Sequence, residues 1–289
     1  MNVSEKVTVE KVLAMKGKRK ITVLTAYDYT TAKVCDTAGI DILLVGDSAG
    51  MVMLGYDRTT MVTMDEMLLF CRAVANAKPR AMVVADMPFM SYQVSVRDAV
   101  YNACRFVKES GADAVKIEGG REVSDKVRAI VNAGIPVMGH IGLKPQTALL
   151  WQGYKVQGKS KDTAINLIED ALAIQEAGAF CIVLEQVAYE VAEIITNRLR
   201  IPTIGIGSGL ACDGQVLVIH DMLGLYSNAP RFAKRYANIY DVILNAVISY
   251  KEDVINCRFP SKEHEFHMSE QEYNELLREL KISMVDKHE

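Results

Sequence analysis

The chain has 289 residues, 50% of them hydrophobic and 24% charged, and its 33 Lys and Arg against 36 Asp and Glu leave a net charge of −3. That is enough apolar side chain for a large core and too little polarity for disorder. The near-neutral balance, with no long basic run, argues against nucleic acid or anionic lipid as a partner and for a small-molecule substrate.

From the amino terminus, residues 1–20 mix acids with lysines and hold no continuous apolar stretch, so no export signal is expected. Val9, Val12 and Leu13 share one helical face, which predicts a short amphipathic helix plugging the amino-terminal end of the fold. Eight apolar runs of strand length follow, at 21–27, 42–47, 81–87, 114–120, 136–142, 180–186, 202–208 and 215–221. Between them lie amphipathic stretches ending ahead of Gly111, Gly134 and Gly178, each a helix stopped by glycine. Continuous apolar strands joined by helices mean a parallel sheet covered on its outer face, and eight units favour a closed (β/α)8 TIM barrel over an open sheet. The rival, a doubly wound dinucleotide fold, would need GIGSG at 205–209 to be its phosphate loop; that motif sits on the seventh run and leads into another strand.

The barrel is expected to occupy residues 1–258, with 259–289 a charged helical appendage in which Ser269 and Glu272 form a capping pattern. His264 and His267 in that tail have helical spacing for a metal, but nothing nearby completes a ligand set. The six cysteines contain no C-x-x-C pair, and no apolar run reaches the roughly 18 residues of a membrane span. A cytoplasmic protein is expected.

A barrel assembles its active site from the carboxyl ends of its strands. Here those ends carry Tyr27, Asp28, Asp47, Ser48, Asp86, Glu118, His140, Glu185, Ser208 and Asp221. Taken singly, such an acid is usually a helix N-cap. Alternation places Leu43 and Val45 on one face with Asp47, Val84 with Asp86, Lys116 with Glu118, Met138 with His140 and Val183 with Glu185. Asp47, Asp86 and Glu118 come from successive strands about 5 Å apart, so their carboxylates crowd and invite a hard divalent cation, Mg²⁺ first. Lys116 adds a cation able to hold a substrate carboxylate or oxyanion. Glu185 stands across the mouth on an apolar strand and is the candidate general base. His140 reads as a site-lining residue or as a packed structural histidine. The chemistry implied is metal-assisted enolisation of a 2-oxo acid.

The segments TAYDY (25–29), LLVGDSAGMVMLGYDRT (43–59), VVADMPFMSY (83–92), VKIEGG (115–120), GHIGLKPQ (139–146) and IGIGSGLACDGQVLVIHDMLGL (204–225) closely resemble the ketopantoate hydroxymethyltransferase family. That resemblance implies a barrel of the phosphoenolpyruvate/pyruvate type and transfer of a one-carbon unit from 5,10-methylenetetrahydrofolate to 2-oxoisovalerate (3-methyl-2-oxobutanoate), the first step of pantothenate synthesis. It places Asp47 and Asp86 on the metal with Glu118 on or next to it. Asp47, Ser48, Asp86, Lys116 and His140 then form the oxo-acid site, and Glu185 is the proton acceptor. The chain departs from the family's usual residues at Lys144 and Ser208, positions taken to lie toward the folate. The family's large assemblies imply a homo-oligomer, expected to be a decamer. Two rivals stay open: a related lyase cleaving a 2-oxo or 2-hydroxy diacid, which would need a cysteine-bearing loop not found after Glu118, and an inactive barrel used as a scaffold.

Overall fold

The structure, a computed structural model, describes residues 5–150, 155–226 and 229–280. Residues 5–237 and 238–280 fall into separate compact units. In the first, β1 (Ile21–Thr25), β2 (Ile42–Val45), β3 (Met82–Asp86), β4 (Ala114–Glu118), β5 (Val137–Gly142), β6 (Cys181–Glu185), β7 (Thr203–Ile206) and β8 (Gly214–Leu217) form a closed barrel in sequence order. All pairs are parallel, and closure comes from β8 on β1, with Ile21 opposite Gly214 and Val23 opposite Val216.

Each strand feeds apolar side chains alternately to two cores, as its period of two requires. Val23, Leu44, Val84, Met138, Val183 and Ile204 fill the barrel interior. Leu43, Val83, Val115, Ile117, Ile182 and Leu184 face outward under the helices. In chain order these are α1 (Val9–Met15), α2 (Tyr29–Thr37), α3 (Ala49–Val52), α4 (Met64–Asn76), α5 (Val96–Arg105), α6 (Ser124–Asn132), α7 (Lys161–Glu176), α8 (Tyr189–Arg198) and α9 (Ile219–Leu223). The stop glycines behave as expected: Gly111, Gly134 and Gly178 all adopt positive φ where helix turns to strand.

Helix α1 closes the amino-terminal end of the barrel. Val7 and Val12 are buried in the interior core, with Val9 and Met15 packed against it. Leu13, expected on that face, is 39% exposed instead, because the buried stripe runs through Val7 from the preceding segment. Around the helix, Lys6 pairs with Asp113, Lys16 with Asp213 and Arg19 with Asp41, tying the plug to loops entering β4, β8 and β2.

Two details of the strands depart from the sequence expectation. The last apolar run splits: β8 ends at Leu217 and Ile219–Leu223 is a short helix, so Asp221 sits in a helical turn, hydrogen-bonded by the Tyr226 hydroxyl. A run such as VLVIHD suits strand or helix equally until its neighbours decide. Leu43 and Val45 do not share a face with a rim acid; Leu44 and Ile42 are the interior residues of β2. The strand stops at Val45, and the chain bends at Gly46 to bring Asp47 into the mouth.

The second unit begins at Asn238 rather than at the 259 read from composition and holds α10 (Ile239–Ile255), none of whose residues is buried, and α11 (Glu270–Glu279). Ser269 caps α11 by accepting the Glu272 N–H, as its pattern predicted. His264 bonds Ser261 and His267 lies beside Glu265, and among the described residues neither belongs to a group of three or more metal-capable side chains. All six cysteines are unpaired, and no helix among the described residues is long and apolar enough to cross a membrane.

Candidate active site

At the carboxyl ends of the strands lies a cavity of about 680 Å³, lined by all of Asp47, Ser48, Asp86, Lys116, Glu118, His140 and Glu185. The register explains the convergence: Asp86 is opposite Lys116 and Glu118 opposite His140, so neighbouring strands deliver these groups at adjacent heights. The lining also includes apolar Met51, Val52, Leu217 and Phe232.

A chain of polar groups crosses the floor. Asp47 N–H donates to Asp86 Oδ2 at 3.0 Å, and Lys116 Nζ lies 3.1 Å from Asp86 Oδ1. On its other side Lys116 Nζ is 3.0 Å from His140 Nδ1. An ammonium can only donate, so Nδ1 is the acceptor and the imidazole proton of a neutral ring is on Nε2. That nitrogen is 3.3 Å from Glu185 Oε2. His140 therefore stands between the lysine and the candidate base. Burial and then the charge of Lys116 hold its pKa well below the ordinary value, so it stays neutral.

Burial works against the ammonium of Lys116, but the charges of Asp86, Glu118 and Asp47 outweigh it and raise the pKa above its ordinary range. Desolvation followed by the charge of Asp86 raises Asp47, and desolvation followed by Asp47 raises Glu118 well above the carboxylate range. Burial also raises Glu185, to about 7. Ser48 Oγ lies 2.8 Å from the Tyr27 hydroxyl at the edge of the cavity.

The donor chemistry of Asp47 and Asp86 fits a hard cation: both are buried, and Asp86 Oδ1 makes no aligned hydrogen bond despite its proximity to Lys116. The three acids are nevertheless not drawn together as one ligand group; among the described residues no set of three or more His, Cys, Asp or Glu is so arranged. Gln146 bridges two of them. Its side-chain amide donates to Asp47 Oδ2 and to Met87 O, both at 2.9 Å, and its backbone N–H donates to Glu118 Oε2 at 3.1 Å. The Tyr92 hydroxyl fixes the amide's orientation from 2.8 Å away by donating to its oxygen.

Gln146 and Tyr92 escaped the strand-end reading because neither is on a strand: Gln146 lies in the 3-10 turn Pro145–Leu150 and Tyr92 on a loop, where no strand period marks a side chain as inward. Of the two departures from the family pattern, Lys144 pairs with Glu122 near the surface, and Ser208 is buried against backbone rather than lining the cavity.

A closed parallel barrel whose strand ends gather acids, a lysine and a buried glutamate around one cavity is a (β/α)8-barrel enzyme. Solved structures share the architecture: phosphoenolpyruvate phosphomutase from Streptomyces platensis superposes with a TM-score of 0.59 at 16% identity, covering 95% of this chain and 98% of that one. A 2,3-dimethylmalate lyase described as a PEP mutase/isocitrate lyase superfamily member does so with a TM-score of 0.57 at 17% identity, covering 95% of each. At the level of sequence the match is narrower. The profile of the ketopantoate hydroxymethyltransferase family covers residues 6–262, and the chain belongs to that family. The 3-methyl-2-oxobutanoate hydroxymethyltransferase of Nitrosopumilus maritimus is 56% identical over 90% of this chain and 94% of its own. That of Staphylothermus marinus is 53% identical over 93% and 98%. The enzyme is thus a hydroxymethyltransferase, and the lyase and scaffold readings fall away.

Proposed function

We propose that the enzyme makes ketopantoate by moving a one-carbon unit from 5,10-methylenetetrahydrofolate to 3-methyl-2-oxobutanoate, the first step of pantothenate synthesis, by way of an enolate. The observation that carries this is the line Asp86, Lys116, His140, Glu185, which sets a buried carboxylate across one cavity from a lysine and two aspartates.

Lys116 and Ser48 take the oxo acid, the ammonium on the 2-oxo oxygen and the hydroxyl on the carboxylate. Glu185, with a pKa near 7, is ionised in a useful fraction at neutral pH yet basic enough to accept the C3 proton. The C3–H electron pair moves into the C2–C3 bond, and the charge arriving on the 2-oxo oxygen meets the ammonium of Lys116. Mg²⁺ or a similar hard cation, held by Asp47 and Asp86 with Glu118 beside them, would supply Lewis-acid polarisation of the same oxygen when bound. Neutral His140 stands between Glu185 and Lys116 without neutralising either. The nucleophilic C3 then bonds to the methylene carbon as its two C–N bonds to the folate break; water supplies the new hydroxyl, and the freed nitrogens take water's hydrogen and the proton held by Glu185 to leave tetrahydrofolate, with Met51, Val52, Leu217 and Phe232 offering the folate ring an apolar surface. We place the enzyme in the cytoplasm as a homo-oligomer, with a decamer expected.

Product analysis tests the reading. Ketopantoate should form only when both substrates are present and should cease on chelation, returning with Mg²⁺. Full turnover after chelation, or product without folate, contradicts it.

A further inference from the structure

We infer that Ser208 is a positioning residue for Glu185, holding the strained end of β6 so that its carboxylate faces the substrate; the inference rests on Glu185 being the base. β6 and β7 run side by side to Glu185 and Ile206, and the Gln186 N–H still donates to Ile206 O at 2.8 Å. Beyond that point Gly207 and Gly209, with φ of +66° and +85°, turn the chain out of strand geometry. Ser208, between them and 1% exposed, substitutes its side chain for the missing backbone partner. Its Oγ donates to Leu184 O at 2.7 Å and accepts the Val187 N–H at 3.0 Å. One hydroxyl therefore clamps both sides of the dipeptide Glu185–Gln186.

That dipeptide needs holding. Gln186 has a φ of +46°, a left-handed conformation that a residue with a Cβ keeps only where its surroundings impose it. Backbone groups on the opposite side contribute, since the Leu143 N–H donates to Glu185 O at 2.8 Å and the Gln157 N–H to Gln186 O at 2.7 Å. The approach of Glu185 to His140 Nε2 is not an aligned hydrogen bond, so the aim of the carboxylate depends on the backbone that carries it. Ser208 does not line the cavity and touches no substrate position; its effect passes through the turn.

The test is exchange of the C3 hydrogen of 3-methyl-2-oxobutanoate in D₂O, followed by NMR on the full-length protein without folate. Ser208→Ala should slow exchange at saturating acid by roughly tenfold to a hundredfold, as a reacting group displaced by about 1 Å does, while dissociation of the acid is unchanged. Ser208→Thr, which keeps the hydroxyl, should restore most of the rate. Adding Gln186→Gly to Ser208→Ala should also recover rate, because glycine adopts the left-handed turn without a clamp. If Ser208→Ala does not fold, Ser208→Cys, a weaker donor and acceptor, carries the same comparison. Exchange as fast as in the native enzyme overturns the inference, as does an equal loss of rate and of acid binding that neither Ser208→Thr nor the added Gln186→Gly relieves. Glu185→Gln serves as the reference: if it still exchanges, the base assignment itself fails, whatever Ser208 does.

Discussion

Lysine on a barrel strand is also what a Schiff-base aldolase uses, and the surroundings of Lys116 decide against that chemistry here. A Schiff base needs a free amine. With Asp86 at 3.1 Å and a pKa raised by Asp86, Glu118 and Asp47, Lys116 remains an ammonium at any working pH. Borohydride treatment with 3-methyl-2-oxobutanoate should leave the protein's mass unchanged; an adduct at Lys116 would show that the charge argument fails. The two aspartates differ from surface acids in the same measurable way. Asp47→Asn or Asp86→Asn should weaken Mg²⁺ binding, read by calorimetry, by more than the roughly 10- to 100-fold typical of outer-shell losses. Asp162→Asn, on the exposed first turn of α7, should change nothing, and similar small effects at all three would remove the metal role. Every strand-end acid of this group was legible because each ends an apolar run. Gln146 was not, since its burial is set by the 3-10 turn Pro145–Leu150, which brings it against Asp47, Met87 and Glu118.

At the scale of elements, the eight strands could be read within a few residues because β2 to β7 are buried on both faces and mostly apolar, and only β1 and β8 expose a polar residue, Thr22 and Gln215. Their ends were less legible. Parity predicted the right face for Asp86, His140 and Glu185, which belong to their strands, and misplaced Leu43 and Val45 because β2 stops before Asp47 is reached. Close packing of helix on strand imposes residues as well. A Cβ on Gly139 of β5 would lie 2.5 Å from Ile174 Cγ2 of α7 and 3.3 Å from Ile182 Cγ1. Gly139→Ala should therefore destabilise the barrel by about 1–3 kcal/mol in urea unfolding, the usual cost of overpacking. Native stability in that variant would mean that α7 is free to shift.

For the whole molecule, α10 is the feature that the chain leaves unexplained. Ile243, Val247, Tyr250 and Ile255 are among its exposed apolar residues, and none of its seventeen residues is buried. An apolar helix of this length in water calls for a covering surface. The homo-oligomer proposed above would supply one if α10 lies between subunits. Light scattering at micromolar concentration should give a mass near that of ten chains, and Ile243→Glu with Val247→Glu should lower it; a monomer in both cases would leave α10 without an assigned partner. Assembly was expected from the apolar helix faces and composition together with resemblance, and the copy number from resemblance alone, since no spacing in a sequence states one.

The barrel, its acids and its lysine converge on one claim, that Glu185 removes the C3 proton of the oxo acid to start the reaction. The most direct measurement is hydrogen–deuterium exchange at C3 of 3-methyl-2-oxobutanoate, without folate, in the native enzyme and in Glu185→Gln across pH 5 to 9. A base must be ionised to act, so native exchange per unit of bound acid should rise with pH and level off above about 7, where Glu185 loses its proton. Glu185→Gln should bind the acid and show no exchange above the uncatalysed rate at any pH. Exchange in that variant at the native rate, with the same pH limb, would contradict the account.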